Sequence, residues 1–115
     1  MALPKASDHR FTYADYQKWP DGERWELIDG EAYAMSPAPT IKHQTLVLDI
    51  ARQIADTLDG APCRALIAPV DVLLPAPDEA EDQVATVVQP DILVVCDPKK
   101  ITERNVRGAP DWIIE

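Results

Sequence analysis

Between Pro37 and Gly60 runs the segment "PAPTIKHQTLVLDIARQIADTLDG", and the rest of a chain this short must be arranged around it. Leu46, Ile50, Ile54 and Leu58 recur at four-residue spacing with Val47 and Ala51 beside them, the pattern of a helix with one apolar face. Thr40 is placed to cap its start and Gly60 its end. A stripe of that kind has to be buried against a second layer, and the remaining apolar runs are short enough to be strands. "RWELIDGEAYAMS" alternates about an Asp-Gly pair, the strongest short-range hairpin signal, and predicts strands near 24–29 and 31–35. "ALIAPVDVLLPAP" predicts a strand near 65–74 bent at Pro69, "VVQPDILVVC" predicts another, and "DWIIE" begins a last one.

The connecting segments are less regular. Residues 1–10 read as a loose arm, and "FTYADYQKWPDG" as a short helix capped by Thr12 and stopped by Pro20. Its Tyr13, Tyr16 and Trp19, spaced by three, form a stripe better suited to packing than to binding. The acidic "DEAEDQ" is a solvated turn, and "DPKKITERNVRG" is a loop or short helical turn carrying the one basic cluster, "KKITERNVR". Helix, hairpin, long helix and three further strands predict an α+β fold, an antiparallel-rich sheet packed on a long helix, in a single domain over 1–115.

A net charge of -9 excludes nonspecific nucleic-acid binding through the whole surface, so any phosphate contact must be local. Cys63 and Cys96 lack the spacing of a zinc site or a disulfide framework and read as reduced core thiols. The N-terminus has no apolar signal region and no apolar run approaches a membrane span, which predicts a cytoplasmic protein with no membrane partner.

Asp91 stands out in "VVQPDILVV", because an otherwise buried strand carries an acid where an apolar residue would stabilise it more. Side chains alternate along a strand, so Asp91, Leu93 and Val95 share a face, as do Asp111, Ile113 and Glu115. If these strands are antiparallel neighbours, Asp91 faces Glu115. Two such acids repel unless a proton or cation lies between them, and hard oxygen donors suit Mg²⁺ or Mn²⁺ and phosphoryl chemistry. The bland alternatives remain open here: Asp91 bonding to loop backbone, and Glu115, Glu31 and His43 simply solvated or packed. Glu26 and Asp71 are further candidate acids, each read as more exposed than catalytic.

The succession "FTYADYQKWP", "RWELIDGEAYAMSPAP", "IKHQTLV", "APVDVLL", "VVQPDILVV" and "GAPDWIIE" resembles the Uma-two family of bacterial restriction endonuclease-like proteins, in the PD-(D/E)XK nuclease superfamily. The resemblance implies a restriction endonuclease-like fold and metal-dependent hydrolysis of nucleic acid, DNA in the first instance. It makes Asp91 and Glu115 catalytic acids holding Mg²⁺ or Mn²⁺, with Glu31 as an auxiliary ligand. His43 matches a recurrent histidine that contacts phosphate or tunes a carboxylate. The family continues past the position of Glu115 and takes its catalytic lysine or a substitute from there, so the chain reads as truncated at its C-terminus. The alternative is a non-catalytic module that keeps the fold for binding or assembly, its last strand pairing across a homodimer.

Overall fold

The computed structural model describes residues 10–36 and 38–115, so most of the arm expected over 1–10 lies outside the described residues. In chain order the elements are α1 (Tyr13–Tyr16), β1 (Trp25–Ile28), β2 (Glu31–Ala34), α2 (Ile41–Thr57), β3 (Arg64–Ile67), β4 (Asp71–Leu73), β5 (Val87–Val88), β6 (Ile92–Val95), β7 (Asn105–Arg107) and β8 (Trp112–Ile114). Single 3-10 turns occupy Glu81–Gln83 and Pro98–Lys100. This is an α+β protein with antiparallel pairing, as expected, and its principal helix has 17 residues. The chain clusters into two compact units, one from the described part of Met1–Pro37 with Leu73–Val88, the other from Ala38–Val72 with Gln89–Glu115.

The first unit is built on the expected hairpin. β1 and β2 pair from Trp25↔Ala34 to Ile28↔Glu31. Asp29 and Gly30 close the turn with φ of 49° and 82°, the two left-handed positions that a two-residue turn needs to match strand twist. A Cβ at Gly30 would also lie 2.9 Å from the Arg10 Cβ, so glycine is required twice over. β5 joins β1 at Leu27↔Val87, and the Leu74 N–H donates to the Thr86 carbonyl at 3.0 Å. The buried core is Tyr13, Leu27, Ala32, Leu73, Val84 and Val87, with Phe11, Tyr16, Trp19 and Trp25 packed against it. The aromatic stripe is thus largely packing, as its spacing suggests. At the start of α1 the Asp15 carboxylate accepts the Thr12 N–H at 2.9 Å.

In the second unit β6 is the middle strand of three, in the order β3-β6-β8. All four of its side chains are buried, at 0–6% exposure, because strands flank it on both edges and both of its faces are covered. α2 packs on β3. Its inward residues are Val47, Ile50, Ala51, Ile54 and Leu58, with His43 partly covered, whereas Leu46 is 51% and Leu48 69% exposed. The expected stripe is therefore corrected at Leu46. Strict four-residue spacing advances about 40° per step against a 3.6-residue turn, so over three steps Leu46 lies about 120° from Leu58.

Two further expectations change. The strand foreseen at 65–74 is two strands, β3 and β4, and "VVQPDILVV" is also two, β5 and β6. Pro69 and Pro90 mark the breaks: each lacks the N–H that a continuing ladder needs. The cysteines are not free thiols. Cys63 and Cys96 form a disulfide, one register step beyond the pair Arg64↔Val95. Antiparallel pairing brings the two side chains face to face, which their sequence separation of 33 conceals.

Reducing this bridge releases a loop of that size in the unfolded chain, so dithiothreitol is expected to lower stability by about 2–4 kcal/mol, read from the urea midpoint. Cys63→Ser should lose the same amount and then be insensitive to reductant. Identical midpoints with and without reductant would show that the bridge restrains nothing.

Candidate active site

Asp91 is positioned by its neighbours on both sides. Buried Pro90 fixes the chain before it, β6 begins after it, and the Ala68 N–H donates to its backbone carbonyl at 3.0 Å. β6 pairs with β8 in antiparallel register: Ile92↔Ile114, Leu93↔Ile113 and Val94↔Trp112. Extended by one residue, that register sets Asp91 opposite Glu115, on the face shared with Leu93 and Ile113. The neighbouring strands expected from alternation are present.

His43 reaches the same place from α2. The Thr40 hydroxyl caps the helix by accepting the His43 N–H at 3.1 Å, which sets the first turn and directs His43 toward β6. Its Nε2 lies 3.3 Å from Asp91 Oδ2, the two side chains being 39% and 31% exposed. Its Nδ1 lies 3.1 Å from Gln44 Oε1. Two oxygen acceptors, one on each ring nitrogen, are satisfied together only by the doubly protonated ring. The His43 pKa is accordingly raised, first by the Gln44 hydrogen bond and then by Asp91, against a lowering from desolvation. A cation in the first turn also meets the unfavourable end of the helix dipole. The two acceptors outweigh both.

The other candidate residues belong to other elements. Glu31 is the first residue of β2 in the first unit, where its carboxylate accepts the Tyr33 hydroxyl at 2.7 Å and raises the Tyr33 pKa. Asp71 opens β4 and accepts from the buried Gln89 amide at 2.9 Å, which gives it a structural partner. Glu26 lies within β1, half-buried. In the basic cluster Lys100 Nζ donates to the Ala109 carbonyl at 2.9 Å, so this cation holds its loop closed. Sequence reasoning missed Gln44 and the Ala68 N–H, and nothing in the local pattern marks either as a partner of this site. Among the described residues no three His, Cys, Asp or Glu side chains converge as a metal-holding group.

An α+β chain that presents two acids at adjoining strand ends is consistent with a restriction endonuclease-like fold. The family comparison agrees: the Uma2 family, described as "putative restriction endonuclease", matches residues 13–115, and the chain belongs to it. No curated protein matches the chain. Among the described residues no helix is long and apolar enough to cross a membrane.

The His43 geometry fixes a pH dependence. The raised pKa means that the His43–Asp91 contribution is fully present below the unfolded histidine value, about 6.5, and is lost as pH rises through the higher folded value. NMR titration of the His43 ring is expected to give a pKa above that of a histidine peptide, and Asp91→Asn should lower it. A ring titrating at the peptide value in both proteins would remove the contact.

Proposed function

We propose that the second unit carries the carboxylate pair of a metal-dependent nuclease: Asp91 and Glu115 hold one Mg²⁺ or Mn²⁺, and the substrate class is nucleic acid, DNA first. The observation that supports this reading is the β6–β8 register, whose last pair, Ile92↔Ile114, leaves Asp91 and Glu115 as the next positions on the two strands. Their donor chemistry suits such an ion, since both supply hard oxygens, and Mg²⁺ is commonly held by one or two carboxylates with water and phosphate completing its shell. When bound, the ion supplies polarisation of the phosphate and a more acidic water.

The chain's own residues do the rest. Two carboxylates brought to one place repel one another, so a cation between them would be favoured. Asp91 is held by its backbone and by His43 at Oδ2, which restricts its orientation. When protonated, which its raised pKa favours, the His43 ring adds positive charge where a phosphodiester would meet an otherwise acidic protein. Membership of the family supports the substrate class.

Titration calorimetry with Mn²⁺ tests the site without requiring turnover. Wild-type protein is expected to bind, and Asp91→Ala and Glu115→Ala to bind roughly tenfold or more weakly. Equal affinity in all three, with circular dichroism unchanged, would remove the site.

A second reading rests on a separate observation. β8 is an edge strand of its sheet, and Trp112 and Ile113 are 54% and 48% exposed on it. Apolar residues along an open edge favour strand pairing with another copy, which is the non-catalytic homodimer module. Light scattering after size exclusion should then give a dimer that Trp112→Lys dissociates. A wild-type monomer across the concentration range ends this reading and leaves the metal site untouched.

A further inference from the structure

Phe11, Trp19, Pro20, Glu23, Trp25 and Ala32 line a cavity of about 220 Å³ that lies wholly within the first unit. Neither the nuclease reading nor the family description makes use of it. Trp19 is its centre. The Phe11 ring lies 5.3 Å from it at 77°, and the Trp25 ring 5.5 Å from it at 58°. Ala32, which also lines the cavity, is buried and small and adds little bulk to its wall. At the mouth Glu23 is exposed, and its carboxylate has no ion-pair partner among the described residues.

Three properties select the ligand. The volume falls below the roughly 300–1,000 Å³ of sites that enclose a whole drug-sized molecule, so the cavity suits a head group. Trp19 meets its three neighbouring rings, Phe11, Tyr16 and Trp25, at 77°, 52° and 58°, and no parallel pair is formed about it of the kind that clasps a flat base. Steeply inclined rings suit a rounded group instead, and an aromatic π-face attracts a cation. Glu23 and the net charge of -9 then favour positive charge and oppose a phosphate-bearing ligand. We propose that this cavity is a binding site for an alkylated ammonium group, with Trp19, Trp25 and Phe11 supplying the cage and Glu23 the countercharge. The group reaches the cage either on a small quaternary amine or on a methylated lysine side chain, and the binding chemistry is the same for both.

The experiment is an NMR titration of the tryptophan indole signals at constant ionic strength with EDTA present. Choline chloride is compared with 3,3-dimethylbutan-1-ol, a neutral compound of the same shape. Choline is expected to shift the Trp19 and Trp25 indole signals in a saturable way while Trp112, in the other unit, stays still. The neutral alcohol should bind roughly tenfold more weakly, the usual scale of a partly desolvated cation–π contact. Exposed Glu23 can be changed with little risk to the fold, so Glu23→Gln should weaken choline several-fold and Glu23→Lys should abolish binding. A trimethyl-lysine peptide that saturates at lower concentration than choline identifies the side-chain source, and the reverse order the small amine. Equal binding of the alcohol and choline, or no movement at Trp19 and Trp25, would overturn the proposal. Asp91→Ala should bind choline normally, which keeps this outcome separate from that of the metal site.

Discussion

The ladder of β6 with its two neighbours is the constraint on which the second unit depends. Each of its four residues has a partner on β3, and three have a partner on β8 as well. Because side chains alternate with a period of two, the register leaves no freedom at either end of the strand. At one end it sets Asp91 against Glu115, and at the other Cys63 against Cys96. A slip of one residue would exchange the two covered faces of β6, misfit every side chain packed on them and undo both end pairs at once. The covalent bridge therefore fixes β6 on β3, while the register at the Asp91 end rests on the ladder between β6 and β8. Between them the side chains at 0–6% exposure make the slip expensive.

Opposed to that order is an electrostatic cost. Acids on adjoining strand ends repel where nothing offsets them, and a protein with nine excess negative charges gives no general relief. The protein's local answer is His43, brought in by a helix cap rather than by the sheet. Its ring stands between Asp91 and Gln44, and its raised pKa favours the charged form beside the acid. Surface exposure near one third keeps the His43 contact modest in free energy, so its effect lies in orienting Asp91 more than in stabilising the fold.

Parts of this were legible in the residues because they follow from local periodicity. The Asp-Gly turn, the Thr40 cap and the face shared by Asp91 and Leu93 are each set within a few positions of chain. Other parts needed knowledge of which strands pair. Cys63 and Cys96 look unrelated until β3 and β6 are placed side by side, after which their pairing follows by counting. Pro69 and Pro90 could be recognised as interruptions, but whether a proline bends one strand or divides it into two depends on what each half pairs with. The approach of His43 to Asp91 depends on where α2 rests on β3, and Leu46 was misplaced because four-residue spacing only approximates the helical period over one or two turns. Glu31 kept its expected place after the turn, yet its carboxylate is engaged by Tyr33, a contact that alternation allows but does not announce.

Charge balance bears on how such a site would meet its substrate. A nucleic-acid binder ordinarily gains affinity by releasing counterions from phosphates neutralised by Lys and Arg, each contact adding close to one unit to the salt slope. With 11 basic against 20 acidic residues, and with Lys100 committed to its own loop, few such contacts are open to this chain. Recognition would then rest on the ion between Asp91 and Glu115 and on His43, groups that act over a few ångströms. A nuclease arranged in this way would attract a distant duplex poorly and hold a phosphate firmly once it arrived. Its affinity would depend on divalent ion and pH more steeply than on salt, the opposite of a binder that works through a basic surface.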